Sequence, residues 1–217
     1  MTLDRWAGLR QSYALRGLLE TDLAPDPTSQ LSSWLDDVVA SGLPEPNAMV
    51  VATADASGRP AARYVLLKGL DRRGLVFYTS YDSAKGADLT ANPVASVLFP
   101  WHALERQVRI TGPVERVDDA ESEAYFRSRP YGSQIGAWSS RQSAPASSRA
   151  ELDEAYERCA ARFPEGSPVP RPESWGGFRV TIETAEFSQG RVNRLHDRLR
   201  YRRGDDGVDW VVERLQP

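Results

Sequence analysis

The chain has 217 residues, 27 basic and 30 acidic side chains, and a formal net charge of −3. That balance excludes a generally polycationic nucleic-acid binder and leaves room for a local anion site. Hydrophobic content is 41%, ordinary for a globular protein, and no apolar run approaches the roughly 20 residues of a membrane span.

In chain order, Leu3, Trp6, Leu9 and Tyr13 predict a weak helix. Leu31, Trp34, Leu35, Val38 and Val39 predict a firmer one, started by Asp26 or Thr28 and stopped before Gly42. Residues 24–27 read as a connector. Short apolar runs at 48–54, 62–67, 75–79, 94–99 and 107–111, broken by turns at 55–58 and 71–74, predict strands at about ten-residue spacing. Helices are expected near 83–90, 120–127 and 149–162. Two more strands follow from Phe178, Val180 and Ile182 and from Val208, Trp210 and Val212, which alternate with polar neighbours. Segments 139–148 and 164–174 read as long loops, a length often tied to function. The expected fold class is mainly β with flanking helices (α+β), an antiparallel barrel or sandwich. One domain is expected over 1–217, with a helical N-terminal segment at 1–43 and the barrel with inserted helices at 44–217.

Cys159 stands alone, so no intrachain disulfide can form, and no apolar signal core stands at the N-terminus. Both features fit a cytoplasmic protein. Only two histidines, His102 and His196, are present and no Cys/His cluster accompanies them, so no metal site is expected. Neither a phosphate-binding P-loop nor a dinucleotide fingerprint nor a nucleophile elbow occurs. An enzyme so equipped would draw its chemistry from a bound cofactor.

Of the basic residues only Lys68 and Lys85 are lysines; the other 25 are arginines. That skew is compatible with plain codon bias in a GC-rich genome, and also with each surviving lysine standing where a compact, flexible ammonium is wanted. Arg63-Tyr64-Val65-Leu66-Leu67-Lys68 brackets an apolar strand with two charges, compatible with solvated strand ends and with an anion clamp. Ser83-Ala84-Lys85 opens a helix, where hydroxyl, amide and ammonium groups together favour phosphate. Residues 127–134 carry two arginines and a hydroxyl after Tyr125, within one turn and loop. Residues 191–203 hold six arginines, His196 and a single acid, Asp197. Arg194 and His196, two apart, would share a face in extended backbone. His196 could then move a proton and Arg194 orient an anion.

These segments carry a resemblance. The blocks at 63–68 (RYVLLK), 98–108 (LFPWHALERQV), 133–138 (SQIGAW), 174–179 (SWGGFR) and 194–198 (RLHDR) are similar, in this order, to the pyridoxine/pyridoxamine 5′-phosphate oxidase family. The resemblance implies an FMN-binding split β-barrel working as a homodimer. It implies oxidation of pyridoxamine or pyridoxine 5′-phosphate by O2 to pyridoxal 5′-phosphate, with hydrogen peroxide released, and ammonia from the amine. It places FMN against Arg63, Tyr64, Val65, Leu66, Leu67, Lys68, Tyr78, Thr79, Ala84, Lys85, Gln107, Gln142, Ser143, Ser188 and Arg198. It places the substrate phosphate at Lys68, Tyr125, Arg129 and Ser133, and the pyridine ring at Arg194, Leu195 and His196, with Arg194 and His196 in the catalytic role. Arg10 and Tyr13 are further substrate positions it implies. Two residues depart from the family pattern: Ala84 stands where an arginine is usual, and Ser188 where a tryptophan is usual. Two other readings accompany this one, a same-fold FMN oxidase of the phenazine-pathway type and a non-catalytic carrier of flavin or pyridoxal phosphate. The first would leave Lys68 and Arg129 without a phosphate; the second would leave Arg194 and His196 without a role.

Overall fold

The computed structural model describes residues 17–204 and 207–217. The expected helix over 3–13 and the candidates Arg10 and Tyr13 lie outside the described residues. After a single helical turn at Glu20–Asp22 come α1 (Pro27–Ala40), β1 (Ala48–Ala54), β2 (Pro60–Leu66), β3 (Gly69–Asp71) and β4 (Gly74–Ser80). There follow α2 (Ala84–Ala91), β5 (Val94–Trp101), β6 (Arg106–Arg116), α3 (Asp119–Ser128), α4 (Tyr131–Ser139) and α5 (Arg149–Arg162). The chain closes with β7 (Trp175–Val180), β8 (Thr184–Gln189), a helical turn at Val192–Arg194, β9 (Asp197–Arg203) and β10 (Trp210–Arg214).

The chain divides into two compact units. One comprises the residues up to Met49, Val97–Ile110 and Glu183–Pro217; the other comprises Val50–Ser96 and Thr111–Ile182, so the division falls inside β1, β5 and β6.

In the first unit α1 forms because Asp26 accepts a hydrogen bond from the Ser29 N–H at 2.9 Å and Pro27 fills the first helical position. It stops at Ser41, and Gly42 then takes a left-handed φ of +73°. Its buried stripe is Leu31, Trp34 and Val38, while Val39 is exposed. Trp34 meets Phe187 edge-on at 5.2 Å, and Phe187 meets Tyr201 at 5.7 Å. β8, β9 and β10 pair antiparallel in sequence, with Phe187 opposite Leu199 and Tyr201 opposite Val212.

In the second unit β7 pairs antiparallel with β4, Ser80 opposite Trp175 and Leu75 opposite Val180, and its far end pairs with the end of β6. All six residues of β7 are buried. Arg179 is tolerated there because Asp71 and Glu121 accept from its guanidinium at 3.1 and 2.9 Å. Helices α3, α4 and α5 gather on a cluster of Phe126, Ile135, Val169 and Trp175, and the Tyr131 hydroxyl donates to the Phe163 carbonyl at 2.8 Å.

Three strands and one helix exceed the sequence expectation. β3 is too short to show a period. β9 does alternate, with Leu199 and Tyr201 buried, but its outward positions are all arginine, which hid the pattern. In β8 the alternation is broken by a buried acid, Glu186. α4 replaces the expected loop after Pro130; Gly132 and Gly136 lower its intrinsic helix propensity, and burial of Ile135 overrides them. No described helix is long and apolar enough to cross a membrane, and no described acid, His or Cys cluster could hold a metal ion.

Candidate active site

Lys85 sits in the first turn of α2, whose N-cap Ser83 accepts from the Gly86 N–H. Its side chain is buried. Its Nζ donates to Gln142 Oε1 at 2.7 Å and to Thr79 Oγ1 at 2.9 Å, and Thr79 donates in turn to the same Gln142 oxygen at 2.8 Å. The Ala84 N–H donates to Ser143 Oγ at 3.2 Å. Ser143 holds a left-handed φ of +74°, an uncommon conformation for a serine. Five predicted cofactor positions, Thr79, Ala84, Lys85, Gln142 and Ser143, thus come together from β4, α2 and the loop after α4. Beside them opens a cleft of about 920 Å³ lined by Ala84, Gln142 and Ser143 with Trp138, Arg141 and Ser174. All the polar partners of Lys85 among the described residues are neutral. Burial, and then the charge of Arg63, pull its ammonium down to about 8.

Arg63 is held in place: its Nη1 donates to Thr53 Oγ1 at 2.6 Å, and its Nη2 lies 3.5 Å from Asp88. Further along β2 the alternation is imperfect. Tyr64 is exposed, Val65 and Leu66 are half-buried and Leu67 is buried. Lys68 follows the strand end, exposed, with its backbone N–H on Val76 O at 2.8 Å.

Tyr78 connects the cofactor positions to the expected substrate group. Its ring stacks on Tyr125 at 4.0 Å and on Trp175 at 5.5 Å, with interplanar angles of 20° and 12°. Burial, and then the charge of Glu121, push the Tyr78 hydroxyl up to about 12, so it stays protonated. Arg129 lies over the Trp175 ring, 4.5 Å from its centroid. Its Nη1 is buried and has no hydrogen-bond partner among the described residues, and burial lowers its pKa. Gln134 pins the backbone here, its Nε2 donating to the carbonyls of Phe126, Arg127 and Arg129 at 3.0–3.2 Å. Ser133 is exposed in the first turn of α4, not in a loop as expected.

In the other unit, Gln107, Ser188, His196 and Arg198 line a cleft of about 330 Å³. At its base the buried carboxylate of Glu186 accepts from Arg109 at 2.6 Å, Arg198 at 2.7 Å and Ser188 Oγ at 3.0 Å. Burial alone would raise this carboxyl; Arg198, Arg109 and Ser188 outweigh it and hold the group below its usual range. Arg194 and Leu195 are exposed and do not line this cleft.

The extended backbone expected at Arg194 and His196 is corrected. Asn193 and Arg194 both adopt left-handed φ, 57° and 62°, within a turn closed by the Leu195 N–H on Val192 O at 3.2 Å. Asparagine accepts that conformation through its short polar side chain, whereas for arginine it is strained, and such strain clusters at functional sites. His196 Nδ1 accepts from the Arg191 N–H at 3.1 Å, which leaves the ring proton on Nε2 in the neutral form.

Sequence reasoning passed over Trp175, Glu186, Thr53 and Asp88. Trp175 lies inside a quoted motif, and the one available signal was a tryptophan followed by two glycines in a strand, where a close approach is needed. Nothing in the spacing of Thr53 and Asp88 marks them as partners of Arg63.

Comparison with known proteins bears on this geometry. Residues 35–163 match the family model described as pyridoxamine 5′-phosphate oxidase, and residues 175–217 match the pyridoxine 5′-phosphate oxidase C-terminal dimerisation region. The chain is 57% identical over 212 residues to the pyridoxine/pyridoxamine 5′-phosphate oxidase of Salinispora arenicola, covering 97% of this chain and 96% of that one. It is 56% identical over 215 residues to the enzyme of the same name from Streptomyces avermitilis, covering 97% and 96%. Among solved structures, PhzG from Burkholderia lata, determined with tetrahydrophenazine-1-carboxylic acid, superposes with a TM-score of 0.86 at 30% identity, covering 95% of this chain and all of that one. The fold is therefore the antiparallel split barrel with flanking helices.

Proposed function

Because this chain belongs to the pyridoxine/pyridoxamine 5′-phosphate oxidase family, we propose that it uses FMN and O2 to convert pyridoxamine and pyridoxine 5′-phosphates to pyridoxal 5′-phosphate. The observation that carries this reading is a buried lysine and a half-buried arginine, neither with an acid among the described residues. Among the described residues Lys85 meets only neutral oxygens, and Arg129 leaves a buried N–H group unpaired. Elsewhere Arg63, Arg171, Arg179 and Arg198 each have a carboxylate. A desolvated cation with no counter-ion favours an anion from outside, and two such groups fit two phosphates.

Lys85, Thr79, Gln142, Ser143 and the Ala84 amide would hold the FMN phosphate, a donor set that matches its oxygens. Arg63, with Thr53 and Asp88 fixing it, and the segment 64–68 would contact the flavin nucleotide, and family membership extends the cofactor positions to Gln107, Ser188 and Arg198. When bound, FMN would supply the two-electron acceptor for oxidation of the substrate carbon, with O2 as the final oxidant and hydrogen peroxide as its product. Arg129, Lys68, Tyr125 and Ser133 grip the substrate phosphate, so binding energy far from the reacting carbon serves to position it. Arg194 holds the pyridine ring and His196 presents its Nε2 proton to it. The amine substrate ends as aldehyde and ammonia after water attacks the imine. The enzyme works as a homodimer: the C-terminal region matches a dimerisation region and exposes Val192, Leu195, Val208 and Val212. The 57% and 56% identities to oxidases of this name, against 30% to PhzG, favour phosphorylated pyridines over a phenazine substrate.

Steady-state assays of the purified, FMN-saturated protein test the reading. Pyridoxamine 5′-phosphate should turn over with peroxide release and with kcat/KM at least ~100-fold above that of unphosphorylated pyridoxamine, since two charge-assisted contacts are lost. Absence of flavin binding, or equal turnover of the two substrates, would overturn it.

A further inference from the structure

We propose that Trp175 is a positioning residue for substrate-phosphate recognition, its indole face holding the Arg129 guanidinium so that one N–H group stays free for a phosphate oxygen. The inference rests on the reading that Arg129 meets the substrate phosphate. A guanidinium can be oriented in two ways, by a carboxylate or by an aromatic face. A carboxylate would occupy the fork and repel the incoming phosphate. An aromatic face attracts the cation while leaving its N–H groups open. Arg129 has the second kind of partner: its guanidinium carbon lies 4.5 Å from the Trp175 centroid and 5.6 Å from that of Phe126. Its Nη1 is buried with no hydrogen-bond partner among the described residues.

The platform is itself rigid. Trp175 is 6% exposed. Tyr78 lies nearly parallel to it at 5.5 Å, and Phe126 meets it edge-on at 5.1 Å. Its carbonyl accepts from Arg171 Nη1 at 2.5 Å, its N–H donates to Pro172 O at 3.0 Å, and it pairs with Ser80 across β4 and β7. Gly177 gives the Tyr78 ring room: a Cβ there would stand 2.9 Å from Tyr78 Cε1. The stack of Tyr125, Tyr78 and Trp175 with Arg129 on top explains why a strand residue outside every predicted contact is a buried tryptophan.

The test compares kcat/KM for pyridoxamine 5′-phosphate and for pyridoxamine in FMN-saturated Trp175→Phe, Trp175→Leu, Arg129→Met and the Arg129→Met/Trp175→Phe double variant. Trp175→Phe keeps a smaller face and should raise KM for the phosphorylated substrate about tenfold with kcat within about twofold. Titration of the holoenzyme with pyridoxal 5′-phosphate should weaken by a similar factor while FMN affinity holds. Trp175→Leu should lose more. In the Arg129→Met background Trp175→Phe should change discrimination no further, which a merely structural role cannot produce. Unchanged discrimination in Trp175→Phe, or an equal loss in both backgrounds, overturns the inference and leaves the Arg129 reading standing. Full discrimination retained in Arg129→Met overturns the Arg129 reading itself, and the inference with it.

Discussion

At Lys85 the bare ammonium is an energetic cost in the flavin-free chain. Its pKa falls from 10.5 to about 8 because burial penalises the charge and Arg63 adds repulsion. A base whose pKa is depressed by folding destabilises the native state while charged. The penalty is therefore fully present below about pH 8 and is relieved as pH rises through the window from about 8 to 10.5. A phosphate dianion reverses the balance by supplying the missing counter-charge. Binding FMN should then leave Lys85 protonated, and above pH 8 it should draw a proton from solution. The dissociation constant, followed by flavin fluorescence, should be flat from pH 6.5 to about 8 and rise by up to tenfold per pH unit above it. Lys85→Met should bind weakly and show no inflection. A pH-independent wild-type constant up to pH 9.5 would remove Lys85 from the phosphate site.

β7 shows how a single element sets up chemistry on both of its sides. Its register with β4 puts Gly177 opposite Tyr78 and Gly176 opposite Thr79. A side chain at either glycine would collide: a Cβ on Gly177 would lie 2.5 Å from Val117 Cγ2, and one on Gly176 would lie 2.0 Å from the Tyr81 hydroxyl. The glycines are there for close approach, since neither has a left-handed φ. Gly177→Ala must push Val117 and the Tyr78 ring aside. It should cost about 1–3 kcal/mol through overpacking. For a domain of this size that lowers Tm by about 2–12 °C in thermal unfolding, and it should raise KM for the phosphorylated substrate by disturbing the stack under Arg129. A variant as stable as wild type would show that the strand relaxes at no cost. β8 offers a contrast. There Ser188, where the family resemblance implies a tryptophan, donates to Glu186, the carboxylate that also holds Arg198.

For the whole molecule the expected state is a dimer. The region from Trp175 to Pro217 leaves Val192 at 51%, Leu195 at 67%, Val208 at 71% and Val212 at 37% exposure. Such apolar area, in a segment matching a dimerisation region, is where a second copy would be expected to sit. Sedimentation at about 1 µM should give twice the 24.1 kDa chain mass; obligate interfaces persist at that concentration. A monomer there that still binds one FMN per chain would overturn the assembly.

Much of this protein could be read from its residues. Local signals are carried by neighbours along the chain: β1 runs as expected over Ala48–Ala54 and α5 over Arg149–Arg162, and of the two start residues expected for α1, Asp26 is the cap. The cluster of Thr79, Ala84, Lys85, Gln142 and Ser143, drawn from the family resemblance, assembles in space. The rest depended on partners distant in sequence. β8 and β9 were illegible because their charges are buried or offset by ion pairs that only strand pairing creates. The turn at Asn193 and Arg194 replaced an expected extended segment because contacts within the turn, not alternation, decide its backbone. The sequence alone determined family, chemistry and the rarity of lysine. Only the tertiary structure decided which cations go without an acid and that Trp175 lies beneath one of them, because counter-charge and ring stacking are properties of packed neighbours and leave no period in the chain.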